Sequence, residues 1–278
     1  MPDTISLDRD GAVAILTLSR PDRMNAFNLA MCREMIEALH DVDANPAVRA
    51  IVVKGEGRAF CAGADIEGGF GGSVASTIDP PPTVDGIIRD SGGWLNLEIW
   101  NLDTPVIGAV HGAAVGIGFT MLLPMDFVIA AEGTKMAIPF TRRGIVFDGA
   151  ASYFLPRIVG LQVARDWAIT GRTFLAEEAH RAGMITELVP DAGAAHARAL
   201  ELAQDIAENC SPQSVALNKQ LLRLSITNQQ GAYETAAMNV HMKESETLNA
   251  RFVSPDCAEG VTSFFEKRKP VFQDYKKA

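Results

Sequence analysis

The chain has little of what stapled, metal-built or nucleic-acid-binding proteins depend on. Its four cysteines, Cys32, Cys61, Cys210 and Cys257, are widely separated and form no CxxC pair, which argues against a disulfide framework or a zinc knuckle. There is no HExxH run, no Cys/His cluster and no GxSxG elbow, and Gly116-Ile117-Gly118 lacks the third glycine of a dinucleotide fingerprint. Metal-assisted hydrolysis, serine hydrolysis and hydride transfer are therefore not expected. Positive charge is in deficit: 25 Lys and Arg face 34 Asp and Glu, a formal net charge of −9. A general electrostatic grip on nucleic acid or an anionic membrane is excluded, and any anionic ligand must be held locally. Trp94, Trp100 and Trp167 show no close alternation with basic residues of the kind a stacking surface for bases needs. Met1 to Thr4 lacks an apolar leader, so free thiols in a reducing cytoplasm are expected.

What is present is a globular composition, 47% hydrophobic and 21% charged over 278 residues, enough chain for one large core with an appendage. From Val106 to Met125 there is no formally charged residue, and Gly108, Gly112 and Gly116 repeat at four-residue spacing. A membrane helix would explain this, but the glycines, Pro124, the polar His111, and Asp103 and Asp126 at the ends instead of Lys or Arg speak against it. A buried strand, a glycine turn and a short buried helix explain the same letters.

Ile5-Ser6-Leu7, the turn signal Asp8-Arg9-Asp10-Gly11 and the apolar run Ala12 to Ser19 predict a hairpin. Asn28 predicts a cap for a helix bearing Met31, Met35, Leu39 and Val42 at helical spacing, and Ala50 to Val53 predicts a buried strand. The glycine- and proline-rich stretch from Glu67 to Asp90 suits a mobile rim loop, with helix resuming near Val84 and stopping before Pro105. Phe127 to Ala130 and Lys135 to Ile138 predict strands. From about Asp191 to Phe265 the chain predicts helices only, with Ser211-Pro212 as one helix start.

The candidate chemistry lies in three turns. Ala62-Gly63-Ala64-Asp65 and Gly116-Ile117-Gly118 offer backbone N–H groups of the kind that hold a developing oxyanion. Asp148, between the glycine turn at Gly144 and a helix expected to begin near Gly149, is the candidate acid or base, or else a helix cap. Asp65 reads as a cap, Asp126 as a structural residue at a strand edge, His111 as a satisfied core histidine, and Phe264 and Phe265 as core. Arg23, Arg58, Lys267 and Lys269 are the candidate cations for a ligand's phosphates, each equally readable as a solvated surface charge.

AFCAGAD (Ala59 to Asp65), PVIGAVHGAAVGIGF (Pro105 to Phe119), LPRIVG (Leu155 to Gly160), TGRTFLAEEAHRAGMITELV (Thr170 to Val189) and EGVTSFFEKRKPVF (Glu259 to Phe272) together resemble the crotonase, or enoyl-CoA hydratase/isomerase, family over nearly the whole chain. The resemblance implies an α/β fold: a spiral of repeated β-β-α units carrying the acyl-CoA site over residues 1–192, followed by an all-helical oligomerisation region over 193–278. It implies a homotrimer or a dimer of trimers, a coenzyme A thioester as substrate and no further cofactor. The matching oxyanion amides are those of Ala64 and Ile117, and the backbone of Ala62 and Ala64 would meet the adenine.

The chain departs from that family where it matters. The two catalytic glutamates of hydratases are replaced by Thr120 and Phe140, which leaves these two positions as acyl-pocket residues and leaves Asp148 as the acid or base. The middle glycine of the family's Gly-Gly-Gly turn is Ile117, which implies a narrower or reshaped acyl pocket. The position of Asp148 resembles the acidic residue of some enoyl-CoA isomerases and of chlorobenzoyl-CoA dehalogenases. The dehalogenases pair it with a Trp where this chain has Phe140 and with a His on an earlier helix, and Ser91 to Thr104 contains no His. Double-bond isomerisation is the expected chemistry. Hydration, thioester hydrolysis and a non-catalytic acyl-CoA binder are the alternatives.

Overall fold

The structure, a computed structural model, describes residues 4–66, 81–227 and 233–268. The rim segment 67–80 and Lys269 lie outside the described residues.

β1 (Ile5–Asp10) and β2 (Val13–Leu18) pair antiparallel across Gly11-Ala12, with Gly11 at φ +58°. The strand runs on through Asp8 to Asp10, so the turn is shorter than the sequence predicts. α1 (Leu29–Asp43) is capped by Asn28, whose side chain accepts the Met31 N–H at 2.9 Å, and it buries Met31, Met35, Leu39 and Val42 as expected. β3 (Ala50–Gly55) follows.

The helix expected from near Val84 begins later. Asp85 and Gly86, at φ +50° and +79°, turn a small hairpin of β4 (Thr83–Val84) and β5 (Ile87–Ile88). An Asp-Gly pair is a strong local signal for this turn. α2 (Ser91–Asn101) starts only after Asp90, whose side chain accepts the Gly93 N–H at 2.6 Å.

The uncharged stretch forms β6 (Val106–Val110), an unexpected further strand β7 (Ala113–Val115), and α3 (Ile117–Thr120). β8 (Phe127–Ala131) and β9 (Lys135–Ala137) come next, then α4 (Ala151–Thr170), broken at Gly160. After β10 (Thr173–Leu175), α5 (Ala176–Arg181) and β11 (Glu187–Val189), the described residues hold helices only: α6 (Ala192–Asn209), α7 (Pro212–Thr227), α8 (Tyr233–Phe252) and α9 (Pro255–Phe265).

The main sheet has the order β1-β2-β3-β6-β8-β11 and is parallel except for β1; a second sheet runs β10-β9-β7. Both faces of the main sheet are covered, which is why its strands read as continuous apolar runs. Ala50, Val52, Ile107 and Ile129 pack against Ala195, Ala199, Ala203 and Ala207, a four-residue alanine stripe on α6. Ile51, Val53, Val106 and Val128 face the larger core with α1, the second sheet and α4. Among the described residues no helix is long and apolar enough to cross a membrane.

Candidate active site

The two glycine-bearing turns meet. Cys61 bridges to Ala114 in β7 and Ala64 bridges to Phe27, which draws the first turn alongside the second sheet. Asn25, fully buried at φ +56°, holds the approach to that turn: its Nδ2 donates to the carbonyls of Glu56, Ala59 and Phe60 at 2.8–3.1 Å. A Cβ on Gly116 would stand 3.8 Å from Gly63 Cα, and one on Gly118 would lie 2.2 Å from the Cys61 carbonyl oxygen. Glycine at 118 is thus required for the turns to approach. Among the described residues, neither the Ala64 nor the Ile117 N–H has a hydrogen-bond acceptor. Both residues line a cavity of about 150 Å³ together with Ala62, Phe140 and Asp148.

Asp148 is half-buried, and Thr120 donates its hydroxyl to Asp148 Oδ1 at 2.7 Å. Desolvation by the surrounding protein, reinforced by the nearby charge of Asp90, raises the Asp148 carboxyl to about 7 against the opposing Thr120 hydrogen bond. α4 begins at Ala151, two residues later than expected, and its N-cap position is Ala150, at φ +53° and with no side-chain cap. Asp148 therefore does not cap the helix that follows it.

The chain matches the family model described as enoyl-CoA hydratase/isomerase over residues 8–276. It is 42% identical over 267 residues to the enoyl-CoA hydratase ACTT3 of Alternaria alternata, covering 96% of this chain and 84% of that protein. It is 33% identical to the 1,2-epoxyphenylacetyl-CoA isomerase of Escherichia coli K12, covering 94% of both. Its fold superposes with a TM-score of 0.84 on the crystal structure of an enoyl-CoA hydratase/isomerase from Pseudoalteromonas atlantica T6c, at 28% identity over 98% of this chain and 100% of the other. The protein belongs to the enoyl-CoA hydratase/isomerase family.

In this enzyme a polar cluster lies behind the cavity, built largely from residues the sequence motifs do not mark. Asp90 Oδ1 accepts the N–H groups of Gly93 (2.6 Å) and Gly149 (3.2 Å), and Oδ2 accepts the Ser245 hydroxyl at 2.9 Å and lies 3.0 Å from His241 Nδ1. Burial works to raise Asp90, yet His241 and these donors outweigh it and hold the carboxyl below its ordinary range. Asn96 Nδ2 donates to the carbonyls of Thr120 (2.9 Å) and Gly149 (2.7 Å), tying α3 to the Asp148 loop. Glu244 accepts both the N–H (2.8 Å) and the hydroxyl of Ser152, and burial, then the charges of Asp90 and Asp148, lift it to about 8. Space for His241 exists only because residue 93 is glycine, since a Cβ there would lie 2.0 Å from Nδ1.

The residues predicted from sequence divide clearly. Asp148, Ala62, Ala64, Ile117 and Phe140 line one cavity, and the fully buried Thr120 stands behind Asp148. Arg23, Arg58 and Lys267 are exposed and outside the cavity wall. Two structural expectations are corrected. His111 sits half-exposed at the turn between β6 and β7, where its Nε2 meets the Gly57 carbonyl at 2.8 Å, so it is satisfied but not in the core. Phe264 and Phe265 are 49% and 61% exposed; the Phe264 ring lies 4.1 Å beneath the Arg143 guanidinium on the cavity wall. Asp65 pairs with Arg20 at 2.7 Å, while the helix it was expected to cap would start at residues outside those described. Asp126 is structural as expected, accepting the Val106 N–H at 2.8 Å and pairing with Lys219. His241 and Glu244 were legible only as a three-residue spacing within a helix, a pattern too common to signal a site.

Proposed function

We propose that this family member isomerises an enoyl-CoA double bond through Asp148. Ionised, Asp148 removes a proton from the carbon next to the thioester of a 3-enoyl ester. The resulting enolate oxygen is held by the Ala64 and Ile117 N–H groups, and the protonated Asp148 returns its proton two carbons away, leaving the double bond conjugated. One carboxylate suffices, and the reaction needs no cofactor beyond the CoA of the substrate. Fixed N–H dipoles stabilise an enolate more than a neutral carbonyl, and a comparable single donor is worth about 2.7–4 kcal/mol of barrier. The observation that carries this reading is a carboxyl titrating at about 7 on the cavity wall that also holds the two acceptor-free amides. A base of that pKa is matched to neutral pH.

Hydration is the second reading, supported by the Alternaria relative, whose name is enoyl-CoA hydratase. Thr120 and Phe140 cannot supply its usual pair of carboxylates. A panel of 3-enoyl-CoA and 2-enoyl-CoA esters separates the readings: appearance of conjugated absorbance from the former supports isomerisation, its loss from the latter supports hydration. Free thiol release would mark thioester hydrolysis, and binding without turnover a non-catalytic homologue. For the CoA phosphates the exposed Arg23, Arg58 and Lys267, with Lys269, stay the proposed contacts, alongside the backbone of Ala62. We propose a cytoplasmic enzyme of two parts, a core over 1–192 and an oligomerisation region over 193–278 that builds a homotrimer or a dimer of trimers. Exposed Leu217, Leu221 and Leu222 on α7 are consistent with the latter.

A further inference from the structure

We infer that the acyl pocket reads a second oxygen: the Arg89 guanidinium donates to an uncharged acceptor, such as a hydroxyl, ketone or epoxide, carried on the acyl group away from the thioester. This rests on the acyl-CoA reading above. Arg89 follows β5, is 7% exposed, and lines the same cavity as Asp148 and Ile117. Its Nε donates to His241 Nε2 at 3.0 Å, while its Nη2 is buried with no acceptor among the described residues. Buried donors are nearly always satisfied, and one left orphaned on a residue that lines the cavity marks a place for a ligand's acceptor. Much of the rest of that wall is apolar, with Ile117, Phe140, Leu248 and Phe252, so an oxygen placed there would find few competing partners.

Charge decides which oxygen. Accepting from Arg89 requires a lone pair on His241 Nε2, which puts the ring proton on Nδ1, 3.0 Å from Asp90 Oδ2. His241 thus stands between the cation of Arg89 and the anion of Asp90, whose charges balance. A ligand carboxylate would add an unmatched negative charge beside Asp90 and Asp148. Arg143, the other guanidinium on the cavity wall, does not compensate. It precedes Gly144, whose carbonyl accepts from Arg251 Nε near the C-terminal end of α8, roughly 15 Å along the helix from His241 at its usual rise.

The test is calorimetric binding of saturated esters, which cannot isomerise: hexanoyl-CoA, its analogues with a hydroxyl or oxo group at C4, C5 or C6, and adipoyl-CoA, against wild type and Arg89→Met. At least one hydroxy or oxo ester is expected to bind wild type roughly tenfold more tightly than hexanoyl-CoA, the scale of one hydrogen bond to a charged donor. Arg89→Met should bring the hydroxy and oxo esters level with hexanoyl-CoA. Equal affinities in wild type, a preference that survives in a folded Arg89→Met, or adipoyl-CoA binding most tightly would each overturn the inference. The wild-type comparison stands whether or not the variant folds. If hexanoyl-CoA itself does not bind, the acyl-CoA reading fails as well; if it binds without discrimination, only this inference fails.

Discussion

Ile117 and Gly92 share one space: a Cβ on Gly92 would lie 2.7 Å from Ile117 Cδ1 and 3.5 Å from the Asp148 carboxyl carbon. The branched side chain of Ile117 is accommodated by a missing side chain at the start of α2. Gly92→Ala is expected to push Ile117 toward the cavity and to destabilise the fold by about 1–3 kcal/mol, the usual cost of overpacking. Denaturant unfolding alongside kcat/KM for short esters checks both effects, and unchanged values would mean the core yields elsewhere.

Ile117→Gly should do the reverse. Removing a buried branched side chain beside the cavity keeps the amide and widens the acyl site. The ratio of kcat/KM for a bulky or ring-bearing ester over a short one is expected to rise about 10-fold or more, the scale of a few methylenes in an apolar pocket. A ratio that does not move would place the acyl group against another wall.

Asp148→Asn keeps the size and loses the base. Isomerisation of 3-enoyl-CoA esters is expected to fall about 10²–10⁴-fold in kcat, the contribution of a positioned proton carrier, with binding of a saturated ester retained. Full activity in this variant would remove Asp148 from the mechanism.

The rate of isomerisation should follow ionisation of Asp148, rising with pH through about 7 to a plateau. Because the Thr120 hydroxyl donates to the carboxylate, it favours the ionised form, so its loss in Thr120→Val raises the pKa. The rising limb should move to higher pH by about one to two units, since a hydrogen bond to a charged group is worth about 1.5–3 kcal/mol. A limb that stays in place or moves down contradicts the coupling.

Glu244 carries a stability prediction. Its carboxyl is raised by burial from 4.5 to about 8 in the folded state, so between those values the native protein holds a proton that the unfolded chain gives up. Its contribution is present below the unfolded value and is lost as pH rises through about 8. Glu244→Gln keeps an amide oxygen for Ser152 and cannot ionise. The stability difference between variant and wild type is expected to favour the variant increasingly from pH 6 to pH 9, read by urea unfolding at each pH. A constant difference would show that Glu244 does not titrate on unfolding.

Much of this molecule was legible without coordinates. Periodicity and caps placed α1 under Asn28 and the parallel strands at Ala50, Val106 and Phe127, because a helix stripe and a doubly buried strand leave distinct local patterns. The Asp85-Gly86 hairpin is equally local, but two-residue strands on either side of it leave too short a pattern to compete with the helix that follows. The cavity residues Ala64, Ile117 and Asp148 were found because each lies in a turn with its own signature.

What the letters determined, then, was the alternation of strands and helices and the family, since these depend on residues close together in the chain. The tertiary structure alone decided which polar groups share the interior. Asp90, Asp148, Glu244 and His241 come from segments far apart in sequence, and their mutual burial shifts two of the carboxyls upward while His241 and the Gly93 and Gly149 N–H groups hold the third down. Desolvation and charge coupling depend on distance in space, for which linear spacing carries no signal.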